Sequence, residues 1–568
     1  MKHLQLLVLF LFFVASLQAQ QKKTVDFIGG ARSYMSNSQL SVQDSLPDTT
    51  TLKRNTGGYA LIDLGVNIRP NDKTEIMGMF RIRNEYGGFW GAGVSFDVRQ
   101  LWLKGIIGNV VRYQLGDLNL KQTPFTLHNN RFQLLDSMPS VFQLQQNIIS
   151  YEKFYTNNTW RQQGANVDMG LSFNKYIQSM DVNAYITRLR ATDFNAIPDR
   201  LLGGFTIAIK QTARRCFGLH KVSTFDLKGT VLDSNIYSNN VTTVFAQQEV
   251  FIKNHLSTFK LELGNSVAKY SHDALAPVLK DYFVHAHMHV VAPNNKWEST
   301  LAYLNVGPDF RSVGAQSMNI NFQASTNYYN SYANDKLSRP LSIMDLVRSE
   351  NIYTTGVTSN LMRPSLAYNA ILPYGLATFN RVGAYWKATY NGFKSVGLQA
   401  TVYKLSEVRG QGTTQLKQFL QAEVQSTFKL HELMSTKKPF LFQAGFRLQN
   451  TQRTGRVAVE DVDLKSLALQ AGCTYEFAPK LQVIGGLIWF QSKGNDFQAD
   501  RNVYTTVDYY TNQKMDVAQQ MTALGLKCNF SPKSYITALY QSVNYKDKLL
   551  VMPDYTMKQF LLIYNMTF

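Results

Sequence analysis

Cysteine is nearly missing from this 568-residue chain. Three residues, Cys216, Cys473 and Cys528, are too few for a disulfide framework. Cys216 lies beside Arg214 and Arg215 near an expected turn, and the other two fall on apolar faces of expected strands, where a small hydrophobe suffices. Proline is scarce at 15. Beyond residue 17 no continuous apolar run reaches the roughly 20 residues that a membrane helix needs. With a mean hydropathy of −0.20 this excludes a multi-helix membrane protein. Acidic residues are outnumbered 39 to 58, giving a formal charge of +19. No basic tract or nucleic-acid-binding motif accompanies that excess, so a nucleic-acid partner is not read from it. GxSxG, HExxH and P-loop patterns are missing as well, and no enzymatic activity is assigned.

What the chain does contain begins with an export signal. Met1-Lys2-His3 is a short basic segment, Leu4 to Leu17 is almost wholly apolar, and Leu17-Gln18-Ala19 offers a small residue before Gln20. This pattern predicts a secretory signal peptide over residues 1–19, without the Cys that a lipoprotein anchor requires. Its loss would remove only Lys2 from the charge balance and leave a basic chain over residues 20–568. Aromatic residues are abundant (35 Phe, 30 Tyr, 6 Trp), which suits β-structure and aromatic rims at a membrane interface.

The dominant pattern is a period of two. Ala60, Ile62, Leu64, Val66 and Ile68 alternate with Leu61, Asp63, Gly65, Asn67 and Arg69. The same alternation recurs at 166–173, 180–187, 396–403, 420–425 and 440–449. A period of two places alternate residues on opposite faces of a strand. One face is apolar in strand after strand, and the other mixes Asp, Glu, Arg, Gln and Gly. That division is poor for a soluble core and suits a barrel with lipid outside and water inside. The expected fold is therefore all-β: a single transmembrane antiparallel barrel of about 20 strands, within a range of about 18 to 24. Tight turns are expected at Pro70-Asn71-Asp72, Asn174-Lys175, Asn254-His255, Pro293-Asn294-Asn295, Asn391-Gly392, Ala478-Pro479 and Ser531-Pro532. Long external loops are expected at about 121–160 and 310–375, the second with Pro340 in a first helical turn.

Two constellations carry chemistry. Arg69, Arg81, Arg83, Arg99 and Arg112 fall on or near the expected inner face with Asp63, Glu75 and Glu85. They would either polarise a lumen and favour anions or rigidify the wall as salt bridges. On 281–292, His285, His287 and His289 share one face opposite Val284, Ala286, Met288 and Val290. Imidazoles at i and i+2 on a strand can chelate a transition metal, or serve as uncharged hydrogen-bonding wall residues. No carboxylate or Cys partner is identifiable, and no other cofactor is expected.

The final strand ends in Phe560, Leu562, Tyr564, Met566 and Phe568 on one face, with the chain terminating at the aromatic. In this ending, together with the export signal and the alternation, the whole mature length resembles the Gram-negative outer-membrane β-barrel superfamily. The Gln-Ala-Gln-Gln join after the signal is similar to exports of Bacteroidota. The resemblance implies that the terminal aromatic face is read by the barrel-assembly machinery and closes the barrel. It further implies a neighbourhood of lipid and lipopolysaccharide and a porin-like role in diffusion of small, anion-biased solutes. The chain departs from active transporters of that superfamily in lacking an evident plug domain and an energy-coupling box. A non-conducting scaffold for secretion or surface-protein assembly is the alternative.

Overall fold

A computed structural model describes residues 24–43, 50–86, 93–132, 134–231, 236–271, 276–324, 326–327 and 338–568. The expected signal peptide lies outside the described residues. Twenty-two strands form one antiparallel sheet closed on itself. In chain order they are β1 (Val25–Gln43), β2 (Thr50–Asn71), β3 (Thr74–Glu85), β4 (Val94–Ile107), β5 (Val111–Leu120), β6 (Trp160–Ser172), β7 (Ser179–Arg190) and β8 (Arg200–Thr212). Then follow β9 (Arg215–Asp226), β10 (Ile236–Ile252), β11 (His255–Ser271), β12 (Leu279–Val291), β13 (Trp297–Val306), β14 (Arg381–Phe393) and β15 (Val396–Ser406). The last are β16 (Gln418–Lys429), β17 (Phe440–Arg453), β18 (Val462–Ala478), β19 (Leu481–Arg501), β20 (Val507–Ser531), β21 (Ser534–Asp547) and β22 (Tyr555–Thr567).

Each strand pairs with its sequence neighbours, and β22 closes on β1 through a register from Gly30 opposite Thr567 to Val42 opposite Tyr555. Closure leaves no free edge, so every strand finds a ladder partner on both sides. Phe568 clamps the seam: its amide donates to the Gly29 carbonyl at 3.0 Å and its carbonyl accepts from Gly29 N at 3.2 Å.

The strand number corrects the estimate of about 20 to 22. One reason is the economy of the turns at one end, where six links are two residues long, among them Asp72-Lys73, Lys253-Asn254 and Pro532-Lys533. Both ends of the barrel sheet, at Val25 and Thr567, lie at that same end. One turn falls later than expected. The Asn391-Gly392 pair stays within β14, past a register irregularity, and the link is Lys394-Ser395.

Outward faces are apolar. Ile62, Leu64 and Ile68 of β2 and Phe560 and Phe568 at the terminus are exposed, whereas Asp63, Leu561 and Ile563 between them point inward and are buried. Phe173, Phe251, Phe393, Phe477, Phe530 and Phe568 are exposed around the short-turn rim, an aromatic girdle of the kind that sits at a lipid–water boundary.

The two longest links, 121–159 and 307–380, fold back into the lumen. The first carries helix α1 (Ser140–Glu152) and the second carries helix α2 (Ile343–Arg348). α1 starts after Pro139 and buries Val141, Phe142, Leu144, Gln145, Gln146 and Ile149, a broad face that leaves Asn147 exposed. α2 begins at an N-cap, Ser342, whose capping box is completed by Asp345. Pro340 therefore precedes the helix instead of occupying its first turn.

Four apolar clusters join these loops to the inner wall. The largest packs Val141, Phe142, Ile149, Ile343 and Leu346 against inward residues of β1 and β18–β22, such as Ile488, Met521 and Leu561. The other three join Leu127, Phe125 and Ile371 with their neighbours to β5–β16. The inner face expected to be water-lined is thus, over much of its height, a packed core.

Candidate functional site in the lumen

Three inner glycines seat the first loop on the far wall. A Cβ on Gly472 would lie 2.3 Å from Pro139 Cβ, one on Gly486 2.7 Å from Val141 Cγ1, and one on Gly445 3.0 Å from Leu135 Cδ2. Polar wall residues around them take up the loop backbone. Asp136 N donates to Glu423 at 2.6 Å, Ser140 N donates to Gln443 at 3.0 Å, and the Ser140 and Thr474 hydroxyls meet at 2.6 Å. From this seat α1 runs for 13 residues, about 20 Å, toward β1–β4.

At its far end Glu152 enters a cage of three arginines. Arg81 Nη1 and Nη2 reach its carboxylate at 2.5 and 3.1 Å, Arg32 Nη1 at 2.8 Å, and Arg99 Nη1 at 3.5 Å. Arg81 also grips Asp63 at 2.7 Å through both Nε and Nη2, and the Tyr151 hydroxyl donates to the same carboxylate. Arg99 donates to the carbonyls of Tyr151 and Glu152 at 3.1 and 3.2 Å, capping the negative end of the helix. It can do so because a β-bulge leaves Arg99 without a partner between Val98 and Gln100 and turns it inward. Burial raises the Glu152 carboxyl, but the Arg81 hydrogen bonds and the charges of Arg32, Arg81 and Arg99 outweigh it and bring it down to about 2. Burial and the bond to Asp63 push the Tyr151 hydroxyl up to about 12.

A second anchor holds the longer loop. Arg339 makes two 2.7 Å bonds to Asp345, whose carboxyl stays below its ordinary range despite burial because of that arginine. Ile343 N donates to Gln519 of β20 at 2.8 Å. The loops also bond to each other, Asn130 Nδ2 donating to the carbonyls of Ala315 and Tyr374, and Trp160 Nε1 at the start of β6 donates to Gly314 O of the second loop. Through a shared apolar cluster or a polar contact, all 22 strands are tied to this loop layer.

The charged residues singled out from sequence separate into three places. Asp63, Arg81 and Arg99 form the cage. Arg83 and Glu85 pair at 2.6 Å toward the opposite end, with Arg83 over the Tyr59 ring. Arg69, bound to Asp26 and Glu75, and Arg112 line a cavity of about 690 Å³ at the short-turn end. Arg32 and Glu152 complete the cage but were not legible, since nothing local marks a carboxylate 120 residues away as the partner of Arg32.

The three histidines do share the inner face, but each turns elsewhere. His285 Nε2 meets the Tyr385 hydroxyl at 2.9 Å with its ring against Phe125, His289 Nδ1 meets Thr300 Oγ1 at 2.9 Å, and His287 lies 5.2 Å from His285 between ring centroids. Among the described residues no three His, Cys, Asp or Glu side chains converge as a metal site. Mildly purified protein and a His287→Ala variant are expected to give equal metal content by elemental analysis.

No family model and no curated protein matches this chain. Among solved structures it is similar to Pseudomonas aeruginosa OccK5 (OpdH), at 9% identity and a TM-score of 0.33, covering 96% of this chain and 98% of that one. It is also similar to Pseudomonas aeruginosa OccK1 (OpdK), at 9% and 0.34 with 95% and 99% covered. A third is a loop L8 deletion mutant of OmpT, an outer membrane protein of Vibrio cholerae, at 8% and 0.28 with 96% and 99% covered.

Proposed function

We propose that this chain is a porin-like outer-membrane channel for small solutes whose passage is set by two inserted loops. The observation that supports it most is the placement of the loop layer. It lies between a 690 Å³ charged vestibule at the short-turn end and a 320 Å³ cavity at the other, inside a barrel with an apolar, aromatic-rimmed exterior. Helix α1 is fixed across this layer by contacts that side-chain motion can break, since no disulfide secures it. Basic groups at both cavities give the passage an anionic preference. The carboxyl-terminal face of Phe560, Leu562, Tyr564, Met566 and Phe568 serves assembly and closure, in contact with lipid and lipopolysaccharide.

Packing around the whole circumference favours a second reading, a sealed barrel that acts as a scaffold for secretion or surface-protein assembly. Planar-bilayer recording separates the two. The channel reading expects small, anion-selective steps in the intact protein, well below those of an empty lumen of this strand number. Persistent closure, both in the intact protein and after α1 is released, would leave the scaffold.

A further inference from the structure

The outer wall over β18–β22 changes character at one level. Its outward residues lie directly across neighbouring strands, in rows. Trp489, Gln520, Asn544, Thr556 and Ser41 form one row, Ala518 and Lys546 the next, and Lys465, Lys493 and Asp516 the one beyond. Nearer the short turns the same face carries exposed Leu487, Leu524, Tyr540 and Phe560. Lys493 stands 12 residues past Leu481, the start of β19, which is about 30 Å above the short turns for a strand tilted by about 40°. The apolar band of such a barrel is about 25 Å tall, so these lysines meet the headgroups of the far leaflet.

Positive charge prevails there. Asp516 is shared by Lys493 at 3.7 Å and Lys548 at 3.9 Å, and Lys465 pairs with Asp463 at 3.2 Å. Lys546, and Lys514 one row further out, have no carboxylate partner among the described residues. Beneath them a cavity of about 480 Å³ opens on the outer face, lined by Trp489, Ala518, Gln520, Asn544, Lys546 and Thr556. Asp554 at its margin accepts the Asp547 amide through Oδ1 at 2.7 Å. The Gln520 amide and Asn544 Nδ2 make no hydrogen bond among the described residues, while Asn544 Oδ1 accepts from Thr556 at 2.9 Å. An indole beside open amides and an ammonium suits a phosphorylated sugar.

The link 548–554 between β21 and β22 adds an apolar tip at this level, where the Lys548 amide donates to the Asp516 carbonyl at 2.9 Å. Leu549, Leu550, Val551 and Met552 are all exposed, Leu550 by 82% and Val551 by 71%. The turn is built to hold them out. Buried Asp547 accepts the Leu549 and Met552 amides at 3.0 and 3.1 Å. Leu550 has a φ of 55°, a left-handed conformation that is rare for a bulky side chain. Exposing such a tip to water is unfavourable, and insertion among acyl chains beside headgroups removes that cost.

We infer that this face binds one phosphorylated, acylated glycolipid of the outer leaflet, of the lipid A class. Its phosphates would lie on Lys493, Lys546 and Lys548, its sugar against Trp489 and the amides, and its chains around Leu550 and Val551. The inference rests on the outer-membrane reading and not on conduction, and it assigns a single site instead of general lipid contact.

Native mass spectrometry of the delipidated full chain in detergent tests it, with purified lipid A and phosphatidylglycerol as probes. One lipid A should bind at least tenfold more tightly than phosphatidylglycerol. The double variant Lys493→Gln/Lys546→Gln should weaken lipid A by about tenfold or more, as two charge-assisted contacts are removed. Leu550→Gly relieves the left-handed backbone, so thermal unfolding should stay unchanged or rise while lipid A affinity falls severalfold. Lys253→Gln, at the short-turn end, should change nothing. Equal affinity for phosphatidylglycerol, an equal loss in Lys253→Gln, or unchanged binding in the other two variants would overturn the site. So would a lipid-free dimer that Leu550→Gly abolishes, since the tip would then serve a second copy of the chain. Selective binding by a barrel that never conducts would keep the site and remove the channel; a conducting barrel without selectivity would do the reverse.

Discussion

Glu152→Gln should release α1 from the β1–β4 wall and raise the time the barrel spends in a high-conductance state. The carboxyl is held at about 2 instead of its ordinary 4.5, and a displacement of that size corresponds to roughly 3 kcal/mol. Glutamine keeps the shape but removes the charge that holds Arg32, Arg81 and Arg99 together, leaving three guanidiniums around Asp63 alone. Roughly 3 kcal/mol is about a 100-fold change in the ratio of docked to undocked helix. Single-channel recording is the measurement. An unchanged open fraction in E152Q would mean that the buried face of α1 holds it without the cage.

The same group gives the pH dependence a definite sign. Because the folded value lies below the ordinary one, the stabilisation is complete above pH 4.5 and is lost as pH falls toward 2. The wild type should therefore keep its low-conductance state above about pH 5 and open progressively as pH falls from 4.5 toward 2. E152Q, lacking the titrating group, should show no step in that range. An open fraction that stays constant in the wild type between about pH 5 and 2 would place Glu152 outside the cage.

Strand positions and faces were legible because they follow from local sequence. Alternation separates Ile62 from Asp63 and Phe560 from Leu561, and one inward bulge at Arg99 is the kind of local exception that alternation does not announce. The interior was not legible for a different reason. A water-lined wall and a wall covered by its own loops carry the same polar–apolar alternation on the outside, and differ only in what meets the inner face. Leu561, Ile563 and Ile488 on inward positions were the signal that the lumen is partly a core, since water has no use for them. Pairings such as Ser140 with Thr474 or Asn130 with Tyr374 join residues hundreds of positions apart and exist only once the barrel has closed. Of the eight charged positions singled out by their place in the alternation, Asp63, Arg81 and Arg99 serve the helix cage and the other five lie near the rims, a division that depends on where α1 ends and not on the strands themselves.

The inner glycines give the sharpest test of whether α1 governs passage, because two adjacent residues of β19 face opposite ways. A Cβ on Gly486 would meet Val141 Cγ1 at 2.7 Å and Phe142 Cε2 at 2.9 Å, both on the buried face of α1. A Cβ on Gly485, one residue earlier, finds nothing closer than Leu524 Cδ1 at 3.5 Å on the outer face. Gly486→Val must therefore either bend the sheet or move the helix. The sheet is held by ladders on both sides, with Gly486 opposite Gly472 on β18 and Ala523 on β20. Valine also suits a strand better than glycine does, by up to about 1 kcal/mol. The helix, held at this point by side-chain contacts, is the part that yields, at an overpacking cost of about 1–3 kcal/mol. Gly486→Val should raise conductance while leaving the thermal unfolding of the barrel unchanged or slightly higher, and Gly485→Val should alter neither. A rise in both variants would point to a general loosening of β19, and a rise in neither would remove α1 from the conduction path.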